Sequence, residues 1–177
     1  MSPLLRALAV LVLVPGLLGG CGWSAGLVLP EGVRTVGVEV FPRDRLVLER
    51  GLEPRLADAL SQAVSDLVGA PLATPRDADW VLEGEIVEVR RRAGIRSTDN
   101  RILETAVRVR IEARLVDRRS GAVTAATTEP YVWGGYALDQ PGNEDLSEDR
   151  VLRYLAETIV LDLFTATPRS NPDGPAE

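Results

Sequence analysis

The chain has 177 residues, a single cysteine, no histidine and a formal net charge of −6, and that length points to one domain. An intrachain disulfide framework, a Cys/His zinc site and a Ser-His-Asp or Cys-His nucleophile are excluded by this inventory. Every basic side chain is arginine, which excludes Schiff-base and P-loop lysine chemistry too, and the acidic balance argues against nucleic acid as a partner. No cofactor and no metal is expected.

Met1 to Arg6 carries one positive charge, and Ala7 to Leu18 is uncharged and mostly apolar, broken only by Pro15 and Gly16. That length suits the apolar region of a signal peptide and is too short to span a bilayer. Leu18, Gly19, Gly20 and Cys21 follow, and they resemble the bacterial lipobox. In such signals the thiol takes up diacylglycerol, the leader is cut before the cysteine, and the new amine is acylated. At about 0.8 kcal/mol per buried methylene, two or three acyl chains anchor a protein stably. Residues 1–20 are therefore expected to be a lipoprotein signal peptide, Cys21 the lipid attachment site, and residues 21–32 a linker. By resemblance to the enterobacterial sorting rule, glycine rather than aspartate after the cysteine implies delivery to the outer membrane, with the chain on its periplasmic face.

Val33 to Phe41 is β-branched and alternating, which predicts a strand. Pro42 to Gly51 reads as a polar turn. Leu56, Leu60, Ala63, Val64 and Leu67 form an apolar stripe, predicting a helix over Leu52 to Val68 with Gly69 at its C-terminal cap. Trp80 to Val89 predicts a second strand whose alternation slips, since Leu82 and Ile86 are out of phase with Val87 and Val89. Gly84 marks either a bulge or a close backbone approach. Leu103 to Val116 alternates most regularly, with Val107, Val109, Ile111, Ala113 and Leu115 opposite Arg108, Arg110, Glu112 and Arg114. Such a strand has one buried and one wet face. After a turn at Asp117 to Gly121, Ala122 to Trp133 predicts one further strand. Ser147 is the expected N-cap of a last helix with Val151, Leu152, Leu155, Ile159, Val160 and Leu163 on its apolar side. Residues 167–177 are expected to be a disordered tail. The order β-α-β-β-β-α predicts an α+β domain over residues 33–166, two helices on one face of a four-stranded sheet.

Charge is unevenly spread. Arg90 to Arg119 holds ten arginines against Asp99, Glu104, Glu112 and Asp117. Guanidinium groups grip phosphate and carboxylate through paired hydrogen bonds, so Arg90, Arg91, Arg92, Arg96 and Arg101 are candidates for an anionic lipid headgroup, against the alternative of a solvated strand face. Glu83, Glu85 and Glu88 offer the paired carboxylates of a hydrolase, although such residues on a strand are more often solubilising. The acidic stretch Asp139 to Asp149 lacks EF-hand spacing, and helix capping suits it better than calcium. Tyr131, Trp133 and Tyr136 at the end of a strand are candidates for a partner interface.

The CGW opening at Cys21 to Trp23, ADWVLEGEIVEV, LETAVRVRIEARLVD and VLRYLAETIVLDLF occur in succession. Over Cys21 to Phe164 this resembles the LptE family of lipopolysaccharide-assembly outer-membrane lipoproteins. The resemblance implies two helices on a four-stranded sheet and no catalysis. It implies a plug inside an LptD-like outer-membrane β-barrel, aid to that barrel's folding, and assistance to lipopolysaccharide insertion. Basic residues near the sheet's loops are implied to bind lipopolysaccharide; Arg96 and Arg101 lie in the matching loop, with Arg90, Arg91 and Arg92 beside it. The segment from Gly134 to Asp149 departs from that pattern, since it holds no basic residue. A lipoprotein that activates a periplasmic enzyme, such as a peptidoglycan synthase, is the alternative role.

Overall fold

The structure, a computed structural model, describes Leu27 and residues 29–100, 102–127, 131–137 and 142–166. The expected signal peptide, Cys21, Arg101 and the tail from 167 lie outside the described residues. Five strands form one sheet: β1 (Val36–Val38), β2 (Trp80–Ala93), β3 (Glu104–Asp117), β4 (Val123–Ala126) and β5 (Tyr131–Ala137). β1 runs parallel to β2, and all other pairings are antiparallel. β4 and β5 both pair with β3, at Arg114–Val116 and Glu104–Arg110 respectively. The expected four columns are therefore present, the fourth being occupied by β4 and β5 along β3. Ala126 faces Arg114 and Tyr131 faces Arg110.

Alternation along β3 sets the layers. Val107, Val109, Ile111, Ala113 and Leu115 are buried against the helices, and burying each large aliphatic contributes about 1.5–3 kcal/mol. The slip read in β2 is a bulge: the register against β3 shifts between Ile86 and Glu88, leaving Val87 over. Leu82 and Ile86 face inward before it, and Val89 and Arg91 after it. Gly84 is not the bulge but a close approach. A Cβ there would lie 2.2 Å from the Glu112 carbonyl and 2.3 Å from the buried Phe41 ring.

β2 continues to Ala93, so Arg90, Arg91 and Arg92 stand on a strand and not in the loop beyond it. β1 is shorter than its alternation suggested. The chain still tracks β2 beyond Val38, through hydrogen bonds from Glu39 N to Leu82 O and from Asp44 N to Ile86 O. Pro42, lacking an N–H, contributes only its carbonyl, which accepts from Ile86 N.

Helix α1 (Leu52–Ala63) runs on into a wider π turn over Val64–Val68, and Gly69 closes it at φ 67°. Left-handed backbone of this kind favours glycine. Helix α2 (Asn143–Ala166) starts one turn earlier than its apolar stripe predicts. Ser147 is not its N-cap; it is buried inside the helix, and its hydroxyl donates to Gly135 O at 3.3 Å. The loop closes instead through Asn143 Nδ2, which donates to Ala137 O at 3.1 Å, while Glu144 and Asp145 occupy the dipole-favoured first turn. Gly134 makes this packing possible, because a Cβ there would meet Val151 Cγ2 at 2.3 Å and Ser147 Oγ at 2.7 Å.

The helices run parallel and cover one sheet face. Among the described residues every buried core side chain lies between Val36 and Phe164, so this segment carries its own core. At one end of the sheet Trp80 meets Phe164, ring centroids 6.0 Å apart. The Asp79 carboxylate there accepts from Arg34 N at 2.8 Å and Arg119 Nη2 at 3.0 Å. These donors, led by the Arg34 backbone N–H, hold its pKa down at about 2. The chain enters at this same end, where Leu27 N donates to Leu67 O. The opposite end carries both helix N-termini, the loop before α1 and the β2–β3 hairpin.

Candidate functional site

The sheet face turned away from the helices is uncovered in the structure, and the sequence places its charges there. Arg114 donates to Glu83 through Nε and Nη2, at 3.0 and 2.9 Å. Glu88 accepts from Arg108 and also pairs with Arg90. Across the ladder Glu85 stands opposite Glu112. Glu39, Glu83, Glu85, Glu112 and Arg114 line an open cleft of about 590 Å³. Glu83 and Glu88 are thus each engaged by arginine in an ion pair across the strands. Among the described residues no group of three or more carboxylate, cysteine or histidine side chains is arranged to hold a metal.

Nearer the hairpin the same face turns aromatic and cationic. The Arg108 guanidinium lies 5.4 Å from the ring centroids of both Tyr131 and Trp133, within reach of a cation–π attraction. Tyr131 is 54% and Trp133 40% exposed, so each ring keeps area for a partner. Tyr136 is not part of this patch. Its register position opposite Thr105 turns it to the helix side. There burial and the nearby Glu144 carboxylate raise its pKa. The three aromatic candidates are therefore split between two faces.

The arginine candidates divide in the same way. Arg90 and Arg92 lie opposite Arg108 and Ala106 on the open face, and both are exposed. Arg96 sits at the hairpin tip, where its Nη1 donates to the carbonyl and Oδ1 of Asn100, each at 3.2 Å. Asn100 adopts φ 64° to close that turn. Arg91, opposite Val107, points to the helix side. It binds Glu49 of the loop before α1, Glu144 at 2.6 Å and Glu148 at 3.4 Å. Hydrogen bonding to Glu49 raises the Arg91 pKa and lowers that of Glu49. Glu148 also meets Arg55 of α1 at 3.0 Å. Burial, the larger effect, raises the Glu148 pKa, while Arg55 opposes it. Arg91 is thus the centre of a clasp joining β2, the loop before α1 and the start of α2.

That loop was missed as a surface. Read as a polar turn, Pro42 to Gly51 in fact buries Val47 and leaves Leu46 88% and Leu48 87% exposed. The signal available was the Leu-Val-Leu run itself, masked by Arg45 and Glu49 on either side.

The described residues thus form a two-layer α+β domain whose second sheet face is charged and turned away from the helices. The model of the LptE family, described as lipopolysaccharide-assembly, matches residues 33–166. The chain belongs to the LptE family, whose members are outer-membrane lipoproteins of lipopolysaccharide assembly and not enzymes. Comparison with curated protein sequences gives no match. Among solved structures the chain is similar to lipoprotein B of Nitrosomonas europaea, at 14% identity and TM-score 0.56, covering 81% of this chain and 90% of that one. A Xanthomonas campestris protein is similar at 14% identity and TM-score 0.53, covering 76% and 89%. A minor lipoprotein of Acinetobacter baumannii is similar at 17% identity and TM-score 0.50, covering 75% and 94%. At these identities the likeness is one of fold.

Proposed function

We propose that this protein is tethered by lipid at Cys21 to the periplasmic face of the outer membrane. There it serves as the plug and assembly partner of an LptD-type β-barrel during lipopolysaccharide insertion. The observation that carries the reading is the LptE-family match across residues 33–166. A plug in a polar barrel lumen needs a polar surface over a self-sufficient core, and the bare face supplies one with its Glu83–Arg114 and Glu88–Arg108 pairs. Tyr131 and Trp133 serve as anchors toward the barrel wall. Arg90, Arg92 and Arg96, with Arg101 following, attract the phosphates of lipopolysaccharide. Arg91 supports this surface from behind by holding the clasp. Attachment to the membrane raises the protein's effective concentration for its partner.

Isolation of the lipidated protein from outer membranes tests the proposal. A large β-barrel protein is expected to come with it. A soluble periplasmic synthase in its place would transfer the protein to the enzyme-activator role.

A further inference from the structure

The end of the molecule farthest from where the chain enters gathers apolar side chains from three separate segments. Leu46 and Leu48 come from the loop before α1, Ile95, Ile102 and Leu103 from the β2–β3 hairpin, and Leu146 from the first turn of α2; all are exposed. The Arg91 clasp, through Glu49 and Glu144, ties the first and last of these segments to the hairpin strand. The leucine loop is fixed rather than loose. Val47 is buried between the two leucines, Val47 N donates to Asp44 O at 3.0 Å, and Leu46 N donates to Asp44 Oδ1 at 2.7 Å. Arg43 reinforces it by donating to the Glu49 carbonyl and pairing with Glu53 at 3.0 Å.

A fixed loop that keeps one apolar residue inside and holds two outside presents those two to something. We infer that the loop from Asp44 to Arg50 docks on an anionic lipid bilayer, with Leu46 and Leu48 entering the interface and Arg45 and Arg50 lying against headgroups. Shape favours a bilayer over a single lipid. A lone acyl chain is held by enclosure, whereas these leucines stand off a convex loop at near-full exposure. Charge specifies an anionic surface. Arg45 and Arg50 are exposed and have no ion-pair partner among the described residues. Of the acids beside them, Glu49 and Glu53 pair with Arg91 and Arg43, and the Asp44 carboxylate is turned into the loop, accepting from Leu46 N at 2.7 Å. Apolar insertion and headgroup attraction together are what bind interfacial segments to membranes. The inference requires no barrel partner.

The test uses the chain from Leu27 onward, which retains the whole described core and lacks both the signal segment and the only cysteine. Flotation with phosphatidylglycerol-containing vesicles is compared with flotation on pure phosphatidylcholine. The unaltered chain is expected to float with the anionic vesicles, less so at high salt. Leu46→Ser/Leu48→Ser is expected to cut that partition about tenfold while leaving the circular-dichroism melt in place. An environment-sensitive dye on Leu46→Cys should blue-shift on anionic vesicles, and the same dye on Glu157→Cys should not. Failure of the unaltered chain to float, undiminished flotation of the double serine variant, or no shift at position 46 each overturns the inference. Failure of a barrel to co-isolate overturns the proposed function instead, because neither barrel nor lipopolysaccharide is present in the vesicle assay.

Discussion

The two faces of one sheet are built from the same strands and do opposite work. On the helix side β3 contributes Val107, Val109 and Ile111, all fully buried. On the bare side the intervening residues are the half-buried Arg108 and Arg110 and the exposed Glu112, engaged in ion pairs and aromatic contacts. Period-two alternation separates stability from surface chemistry residue by residue. The arginine run 90–92 shows how sharply: Arg90 and Arg92 face solvent on the bare side, while Arg91 between them holds structure. A basic cluster in sequence is therefore two groups in space.

Substitutions on the two sides should differ in proportion. Ile111→Ala leaves a cavity at the centre of the covered face and is expected to cost about 2–5 kcal/mol in denaturant unfolding. Gly84→Ala forces a methyl against the Glu112 carbonyl and the Phe41 ring, with an expected loss of about 1–3 kcal/mol; an unchanged midpoint would contradict the close approach. Asp79 sharpens the comparison by pH. Its native carboxylate is held at about 2 against an ordinary 3.8, so the native state favours the ionised form. Its contribution is complete above about pH 4 and is lost as pH falls through 2. Asp79→Asn should lower stability at neutral pH and flatten the acid limb of a stability–pH series. Arg114→Ala, on the bare side, removes only an exposed ion pair and should stay within about 1 kcal/mol of the parent.

Much of the covered face was legible in the sequence, because burial imposes a period. The β3 alternation located that strand to within a residue, and the α1 stripe named Leu56, Leu60 and Val64 correctly. What escaped depended on contacts between distant segments. The slip in β2 was visible, but only pairing with β3 puts the extra residue at Val87. Ser147 followed by Glu148 and Asp149 reads locally as a helix start. Asn143, Glu144 and Asp145 form an equally good one, and the close approach at Gly134 decides between them. The separation of Tyr136 from Tyr131 and Trp133 is a matter of parity along the strand and was available from numbering alone. Membership of the LptE family was legible from the succession of elements. The clasp around Arg91 was not, since its partners lie 42, 53 and 57 residues away.

The division of the arginine run is tested most directly by titrating lipopolysaccharide against two variants over a series of salt concentrations, with unfolding measured alongside. Arg90→Ser/Arg92→Ser/Arg96→Ser should bind more weakly, most visibly at low salt, with its unfolding midpoint close to the parent's. Arg91→Ser should shift the unfolding midpoint while the folded fraction still binds. Undiminished binding by the triple variant, or equal loss of binding from Arg91→Ser at full stability, would contradict the account.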